Sequence, residues 1–154
     1  MHAALDTLGD MTERLSPGAV VAAFTLQSLS HGVLSMPEGL THLQFRRFAG
    51  CPICNLHLRA FSKRHEELTA AGVRTVAFFH SSAEAMRPFQ GDLPFAVVPD
   101  PDRRWYRQFG VETSVLAGLH PIAVLAAVRG MTSVKANPLR GEGGMNGLPA
   151  DFLI

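Results

Sequence analysis

The stretch Arg47–Leu58, with the sequence RFAGCPICNLHL, decides how the rest of the chain is interpreted. It contains both cysteines of the protein, Cys51 and Cys54, separated by two residues. An apolar strand pattern precedes the pair and a helical pattern follows it, which predicts a strand-to-helix junction. A Cys-x-x-Cys pair at such a junction is typical of a redox-active dithiol, because helix N-terminal amides stabilise a thiolate. The two cysteines are therefore the candidate active site.

The helical pattern after the junction predicts one helix from Cys51 to Ala71. Its apolar stripe consists of Ile53, Leu56, Ala60 and Leu68. Pro52 suits the first turn of this helix, where its missing N–H would have no helical partner. Gly72 is expected to end the helix as a left-handed cap.

Strands and further helices are predicted in alternation along the chain. The predicted strands are Ala19–Leu26, Leu40–Phe48, Val73–Phe79, Phe95–Val98 and Leu148–Ile154, with a turn at Ser30–Gly32. The predicted helices are one capped by Ser81 or Ser82 and ending at Met86, one from Pro101 to Gly110, and one over Val111–Val128. A loop is predicted over Arg129–Gly147, which is rich in Gly, Asn and Pro. This order predicts an α/β fold with parallel βαβ units.

Length and composition favour a single compact domain. With 154 residues, 47% hydrophobic and 18% charged, the chain is long enough to bury a core. We expect an N-terminal arm over residues 1–17 and one domain over residues 18–154. The net charge of +1 favours neither a nucleic-acid nor an anionic membrane partner.

The sequence also predicts a cytoplasmic location. The first residues have no basic start followed by an apolar run, so no secretory signal is expected. The apolar segment Val115–Val128 is interrupted by Gly118, His120 and Pro121 and is too short to cross a bilayer. In a reducing compartment a close cysteine pair is catalytic or metal-binding more often than structural.

A metal site and a pair of inert thiols are the two alternatives to a redox-active dithiol. Cys51, Cys54 and His57 could begin a metal site, but a closed zinc site needs four ligands and no second Cys/His pair is evident, so we expect no metal. Two inert buried thiols are the other alternative. Within a dithiol, Cys51 is favoured as the attacking residue because the first helical position is expected to be more exposed and nearer the free amides.

Three stretches of the chain resemble the peroxiredoxin-like branch of the alkyl hydroperoxide reductase / thiol-specific antioxidant (AhpC/TSA) family. They are Leu43–Cys54, Asp92–Asp102 and Gly147–Ile154. The resemblance covers residues 18 to 154, and the motifs agree in order and type. It implies a thioredoxin-like fold with a central mixed sheet and helices on both faces.

The resemblance also implies which residues form the site. A proline before a central strand, often preceded by a cis peptide bond, faces the dithiol in this fold, and Pro149 occupies that place. An arginine from the pair Arg46 and Arg47 would support the thiolate, and Arg47 is favoured. No cofactor is expected. A thioredoxin-like dithiol reductant would recycle the enzyme after a hydroperoxide or disulfide substrate has oxidised it.

The chain departs from the family in two respects. Typical peroxiredoxins have a Thr three residues before the peroxide-reducing cysteine; before Cys54 that position is Cys51, and before Cys51 it is Phe48. The resemblance to ordinary peroxiredoxins implies Cys54, and not Cys51, as the peroxide-reducing residue, so the sequence leaves open which cysteine attacks first. Relatives also continue into an edge strand and a terminal helix, whereas this chain stops at Ile154. An uncovered edge predicts a homodimer or larger assembly. The alternatives to peroxide reduction are a disulfide reductase and a non-catalytic redox sensor or interaction module.

Overall fold

A computed structural model describes residues 16–111, 125, 128–132 and 149–154. The strands are β1 (Phe24–Gln27), β2 (Val33–Met36), β3 (Leu40–Arg46), β4 (Val73–Phe79), β5 (Ala96–Pro99) and β6 (Ala150–Leu153). The helices are α1 (Pro52–Lys63), α2 (His65–Ala70), α3 (Ala83–Gln90) and α4 (Arg104–Gln108).

Four strands form the central mixed sheet in the order β5-β4-β3-β6. β3, β4 and β5 run parallel, whereas β6 is antiparallel to β3. β1 and β2 form a separate antiparallel hairpin. The predicted α/β class with a central mixed sheet is therefore confirmed.

The two faces of the sheet pack against different elements. On one face, α4 and the β1-β2 hairpin bury an aromatic cluster: Phe24, Phe45, Phe78, Tyr106 and Phe109. On the other face, α1 and α3 cover a second cluster, which includes both cysteines, Leu58, Phe79 and Met86. We call these the aromatic face and the dithiol face. Helices thus lie on both faces, as predicted.

Most predicted strands are present, with corrected ends. β4 has the predicted bounds, Val73–Phe79. β1 begins at Phe24, not at Ala19, because its ladder with β2 begins where Phe24 pairs with Met36. β3 ends at Arg46, not at Phe48, because the chain turns there toward α1. β5 and β6 are the shorter segments Ala96–Pro99 and Ala150–Leu153.

The predicted helix from Cys51 to Ala71 is two helices. Arg64 separates them with a backbone at φ −104° and ψ 12°, and its N–H bonds to the Phe61 carbonyl. Gly72 follows with φ +74°, which confirms the predicted left-handed cap.

The later helices also differ from their predicted bounds. Ser82 caps α3 as predicted, accepting a bond from the Ala85 N–H, but the helix continues past Met86 to Gln90. α4 begins at Arg104, not at Pro101, because the Asp100 carboxylate accepts bonds from the first N–H groups of that turn.

Some predictions concern residues outside the described part. Residues 1–15 of the predicted N-terminal arm (residues 1–17) and most of the predicted Val111–Val128 helix lie there, as does most of the predicted loop over Arg129–Gly147. Residues 128–132 are helical, which corrects the start of that loop. The domain bounds stay a prediction. None of the described helices is long and apolar enough to span a membrane.

Candidate active site

The carboxyl edge of the sheet positions the two cysteines. Arg46, the last residue of β3, pairs with Phe79, the last residue of β4. The chain then crosses from β3 to α1 through residues 47–51. Because parallel strands end together at this edge, side chains that follow different strands meet there, as in other α/β sites.

Cys51 is the N-cap residue of α1, with φ −62° and ψ 116°. Its N–H donates to the Phe48 carbonyl at 3.0 Å, which closes the turn that leads into the helix. The helix begins at Pro52 and not at Cys51 as predicted, because the backbone of Cys51 is extended. Both cysteines are unbridged and buried, with 2% of Cys51 and 5% of Cys54 exposed, so the expected greater exposure of Cys51 is wrong.

The pKa values of the two thiols are shifted in opposite directions. The pKa of Cys51 is lowered to about 7, chiefly because the Cys54 thiol donates a hydrogen bond to it. Burial opposes this shift, while the backbone N–H of Cys54 and the Arg47 charge add to it. A pKa near 7 makes about half of the Cys51 sulfur thiolate at neutral pH.

Cys54 keeps its proton. Its pKa is raised well above the ordinary value because its thiol donates to Cys51 and because the side chain is buried. The Arg47 backbone N–H, which donates to the Cys54 Sγ at 3.4 Å, and the Arg46 charge act in the opposite direction. The pair thus holds one thiolate, on Cys51.

A buried polar network fixes the loop before Cys51. The Ala49 N–H donates to the Ser81 Oγ at 3.0 Å, and the Ala49 carbonyl accepts bonds from Asn55 and Gln90, each at 2.8 Å. The Gln90 Nε2 also donates to the Asn55 Oδ1 at 2.5 Å. Sequence reasoning gave no site role to these residues. Their separation along the chain explains this, since Gln90 lies 41 positions from Ala49.

Two arginines follow one another at the strand end and have different surroundings. Arg47, the predicted supporting residue, is half-buried, and its charge contributes to the low pKa of Cys51. Arg46 is buried and binds the carboxylate of Asp151.

Pro149 directly precedes β6, as predicted, and is exposed. The β3–β6 pairing runs from His42 opposite Leu153 to Phe45 opposite Ala150, so its continuation places Pro149 opposite Arg46. The proline therefore lies at the sheet edge from which the chain leaves for Cys51.

His80 and Tyr106 lie near the same edge on the aromatic face. His80 is fully buried, and burial, followed by the Arg103 charge, lowers its pKa to about 4. Neither ring nitrogen has a partner among the described residues. The Tyr106 hydroxyl bonds to the carbonyls of Arg46 and Phe78. The sequence predicts neither side chain as a site residue, although the position of His80 at the end of a strand is a signal that it could face a pocket.

The described residues contain no group of three or more His, Cys, Asp or Glu side chains placed to hold a metal ion. His57, the third residue of the metal alternative, is exposed on α1.

Comparison with known proteins adds family and fold. The family model for the AhpC/TSA antioxidant enzyme matches residues 60–153, a range that begins after both cysteines. No curated protein matches the chain significantly.

Three of the solved structures that resemble the chain illustrate its fold. Peroxidoxin BcpB of Mycobacterium tuberculosis is 17% identical with a TM-score of 0.61, over 89% of this chain and 77% of that one. A cysteine-to-serine mutant of peroxiredoxin 6 of Arenicola marina is 15% identical with a TM-score of 0.64, over 91% of this chain and 60% of that one. A putative thioredoxin of Neisseria meningitidis is 24% identical with a TM-score of 0.51, over 59% of this chain and 65% of that one. These likenesses confirm the predicted thioredoxin-like fold.

Proposed function

Since the chain belongs to the AhpC/TSA antioxidant enzyme family, we propose that it is a thiol-dependent antioxidant oxidoreductase that reduces hydroperoxides with Cys51 and Cys54. The observation that carries this proposal is the position of two free thiols at the start of α1, with Cys51 as the N-cap residue. The hydrogen bond from Cys54 supports it by lowering the pKa of Cys51 to about 7. A thiolate is the reactive form of cysteine, and few buried thiols have one at neutral pH.

The reaction would proceed in three steps. The Cys51 thiolate attacks a peroxide oxygen, so that an S–O bond forms, the O–O bond breaks, and the alcohol or water leaves with a proton. Cys54 then attacks the resulting Cys51 sulfenic acid; an S–S bond forms, the S–O bond breaks, and water leaves. A thioredoxin-like dithiol finally reduces the disulfide and restores both thiols.

Three further residues would support these steps. Arg47 contributes positive charge beside the Cys51 thiolate. Pro52 sets the first helical turn, which keeps the N–H groups of that turn directed at the sulfur. Pro149 would shape the substrate side of the site from the sheet edge opposite Arg46.

Disulfide reduction is the second candidate, and a specific observation favours it. The position three residues before Cys54, where typical peroxiredoxins have Thr, is the second thiol, Cys51. A Cys-x-x-Cys pair with one low-pKa thiol also suits thiol–disulfide exchange. The 2% exposure of Cys51 favours a small hydroperoxide over a disulfide on a folded protein.

A non-catalytic redox sensor would use the same two thiols without turnover. The cytoplasmic location and the homodimeric or larger assembly stay predictions. Size-exclusion chromatography at micromolar concentration tests the assembly, and a monomeric mass would contradict it.

Peroxide consumption and disulfide reduction, measured with wild type, Cys51→Ser and Cys54→Ser, test the proposal. We expect wild type to turn over peroxide with a dithiol reductant, Cys51→Ser to be inactive, and Cys54→Ser to react once and stop as the sulfenic acid. Activity on disulfides alone would assign the second function. A wild type that turns over neither substrate would overturn the enzymatic proposal.

A further inference from the structure

A buried cation lies on the same face of the sheet as the dithiol. Arg46 is 3% exposed and pairs with Phe79 across β3 and β4. Side chains of residues paired in adjacent strands point to the same face of a sheet. Because Phe79 packs in the cluster that contains Cys54, the Arg46 side chain lies on the dithiol face.

An acid from the antiparallel strand neutralises this cation. The Arg46 Nη2 and Nη1 donate to the two carboxylate oxygens of Asp151 at 2.7 and 3.1 Å, a two-pronged pair. The Nη2 also donates to the Gln44 Oε1 at 2.6 Å. The same carboxylate binds the His42 Nε2 at 2.9 Å. Although burial raises the pKa of Asp151, the bonds from His42 and Arg46 outweigh it and hold that pKa at about 2.

The groups that act on Cys54 come from three elements and the loop between β3 and α1. They are Cys51 at the start of α1, Arg46 of β3 and Tyr106 of α4, together with Arg47, whose N–H donates to the Cys54 Sγ at 3.4 Å. Arg46 and the Arg47 N–H oppose the burial that raises the pKa of Cys54. Arg46 and Asp151 also act with opposite signs on the pKa of His57, which burial lowers. The ion pair therefore acts electrostatically on α1.

We propose that the Arg46–Asp151 ion pair is a positioning device for the resolving thiol: the buried guanidinium stabilises the Cys54 thiolate as it forms, and Asp151 limits that effect. Without the cation, the pKa of a fully buried Cys54 beside an anionic or oxidised Cys51 would be too high for the thiolate to form and attack. Without the counter-charge of Asp151, the cation would lower the Cys54 pKa toward that of Cys51, and Cys54 could carry the negative charge instead of Cys51.

The step that the pair assists is the attack of Cys54 on oxidised Cys51. Cys54 loses its proton, its sulfur forms an S–S bond with Cys51, and the bond from Cys51 to its oxygen or partner sulfur breaks. The leaving group departs as water when the released proton joins it, or as a thiolate from a mixed disulfide. This inference rests on the proposed dithiol function.

Two variants with opposite expected signs test the proposal. In a Cys51→Ser background Cys54 is the only thiol, so ultraviolet thiolate absorbance against pH reports its titration. We expect Arg46→Gln to raise the Cys54 pKa and Asp151→Asn to lower it, because the first removes the cation and the second removes its counter-charge. If the ion pair had only a structural role, the two substitutions would shift the Cys54 pKa in the same direction or leave it unchanged.

A resolving-step assay extends the test to the intact dithiol. An aromatic disulfide reagent reacts first with Cys51, and attack by Cys54 then releases a second, coloured thiolate. A rise of one unit in the Cys54 pKa lowers the fraction of Cys54 present as thiolate about tenfold. A more basic thiolate is also more nucleophilic, which raises the rate of attack per thiolate about threefold. We therefore expect Arg46→Gln to release the second coloured thiolate about threefold more slowly. Release in Asp151→Asn should be faster at neutral pH.

Controls separate the possible failures. Arg46→Lys keeps the charge without the two-pronged geometry and should retain most of the wild-type titration. Where Arg46→Gln does not fold, Asp151→Asn still tests the expected direction of the Cys54 pKa shift. This substitution disturbs little packing, since 45% of the Asp151 side chain is exposed. Equal Cys54 titration in both variants and wild type overturns the proposal. Because this titration needs no peroxide turnover, its result is independent of whether the enzymatic proposal holds.

Discussion

The two faces of the central sheet are built from different chemistry. The aromatic face packs ring on ring: Phe45 stacks on Phe78 at 4.6 Å and meets Tyr106, Phe109 and Phe152 at 5.0 to 5.7 Å. The dithiol face buries polar groups among its apolar side chains, including Arg46, Asn55 and Gln90. Both faces use the same strands, so alternate residues of β3 serve different purposes.

This difference indicates a division of labour within one small domain. Apolar rings stabilise the fold through burial, which is non-directional. Hydrogen bonds and ion pairs are directional, and they set the geometry and charge around the thiols. Substitutions on the aromatic face should therefore change the free energy of unfolding, while those in the polar network of the dithiol face that fixes the loop before Cys51 should also change the titration of Cys51.

The largest expected loss of stability comes from Phe45→Ala. Phe45 is fully buried and contacts four aromatic rings. Its truncation should lower the free energy of unfolding by about 3–5 kcal/mol, measured by urea denaturation. Phe45→Leu, which fills most of the space, should lose clearly less. If the folded Phe45→Ala protein titrates Cys51 differently from wild type, the two faces are not separate.

His80 is a buried titratable residue of the aromatic face, so the free energy of unfolding should depend on pH. Burial lowers its pKa from 6.5 to about 4, so the unfolded chain takes up the proton first as pH falls. Stability from neutral His80 is full above pH 6.5 and is lost toward pH 4, by about 3 kcal/mol at most.

Urea denaturation at several pH values measures this loss. His80→Phe removes two ring nitrogens that have no partner among the described residues, so its free energy of unfolding should change less across the window. Equal pH dependence in wild type and variant would show that His80 is not the group responsible.

Gln90→Met tests the polar network of the dithiol face. The change keeps volume but removes the donor to the Ala49 carbonyl and to Asn55. We expect a loss of about 1–3 kcal/mol, because the buried Asn55 Oδ1 loses this donor and the Ala49 carbonyl keeps only its bond from Asn55. The pKa of Cys51 should also rise toward its ordinary value as the preceding loop loosens. A stability loss with unchanged thiol titration would mean that the network does not position the thiols.

Ser82→Ala is the matched control for general loosening of the same face. Ser82 caps α3, the helix that ends at Gln90. Removing the cap should cost about 1 kcal/mol in the free energy of unfolding. Cys51 titration should stay as in wild type, and Ser82→Asp should restore most of the stability. A shift in the Cys51 pKa here would show that any weakening of this face disturbs the thiols.

Local sequence signals predicted the elements whose causes are local. β4 has its predicted bounds because its β-branched and aromatic run favours a strand. The Ser82 cap and the Gly72 helix end follow from short-range backbone chemistry. The strand-to-helix junction at Cys51, with Pro52 in the first turn, was predictable for the same reason, although the helix begins one residue later than predicted.

Features that depend on residues far apart in the chain could not be predicted from the sequence. α3 continues past Met86 because Gln90 at its end bonds to Ala49 and Asn55. The two arginines at the end of β3 could not be told apart, because the acid that binds Arg46 lies 105 positions away. The alternation of side chains along a strand predicts which face of the sheet a side chain lies on, but not which residue it binds.

The pH dependence of alkylation of the two cysteines, with the modified residue identified by mass spectrometry, tests the central claim most directly. We expect Cys51 to be alkylated first, with a pKa of about 7 in wild type. In Cys54→Ser the Cys51 pKa should rise, because the thiol that donates to it is replaced by a hydroxyl on a shorter side chain. Alkylation of Cys54 first, or titration of Cys51 near its ordinary value of 9.0, would contradict the account.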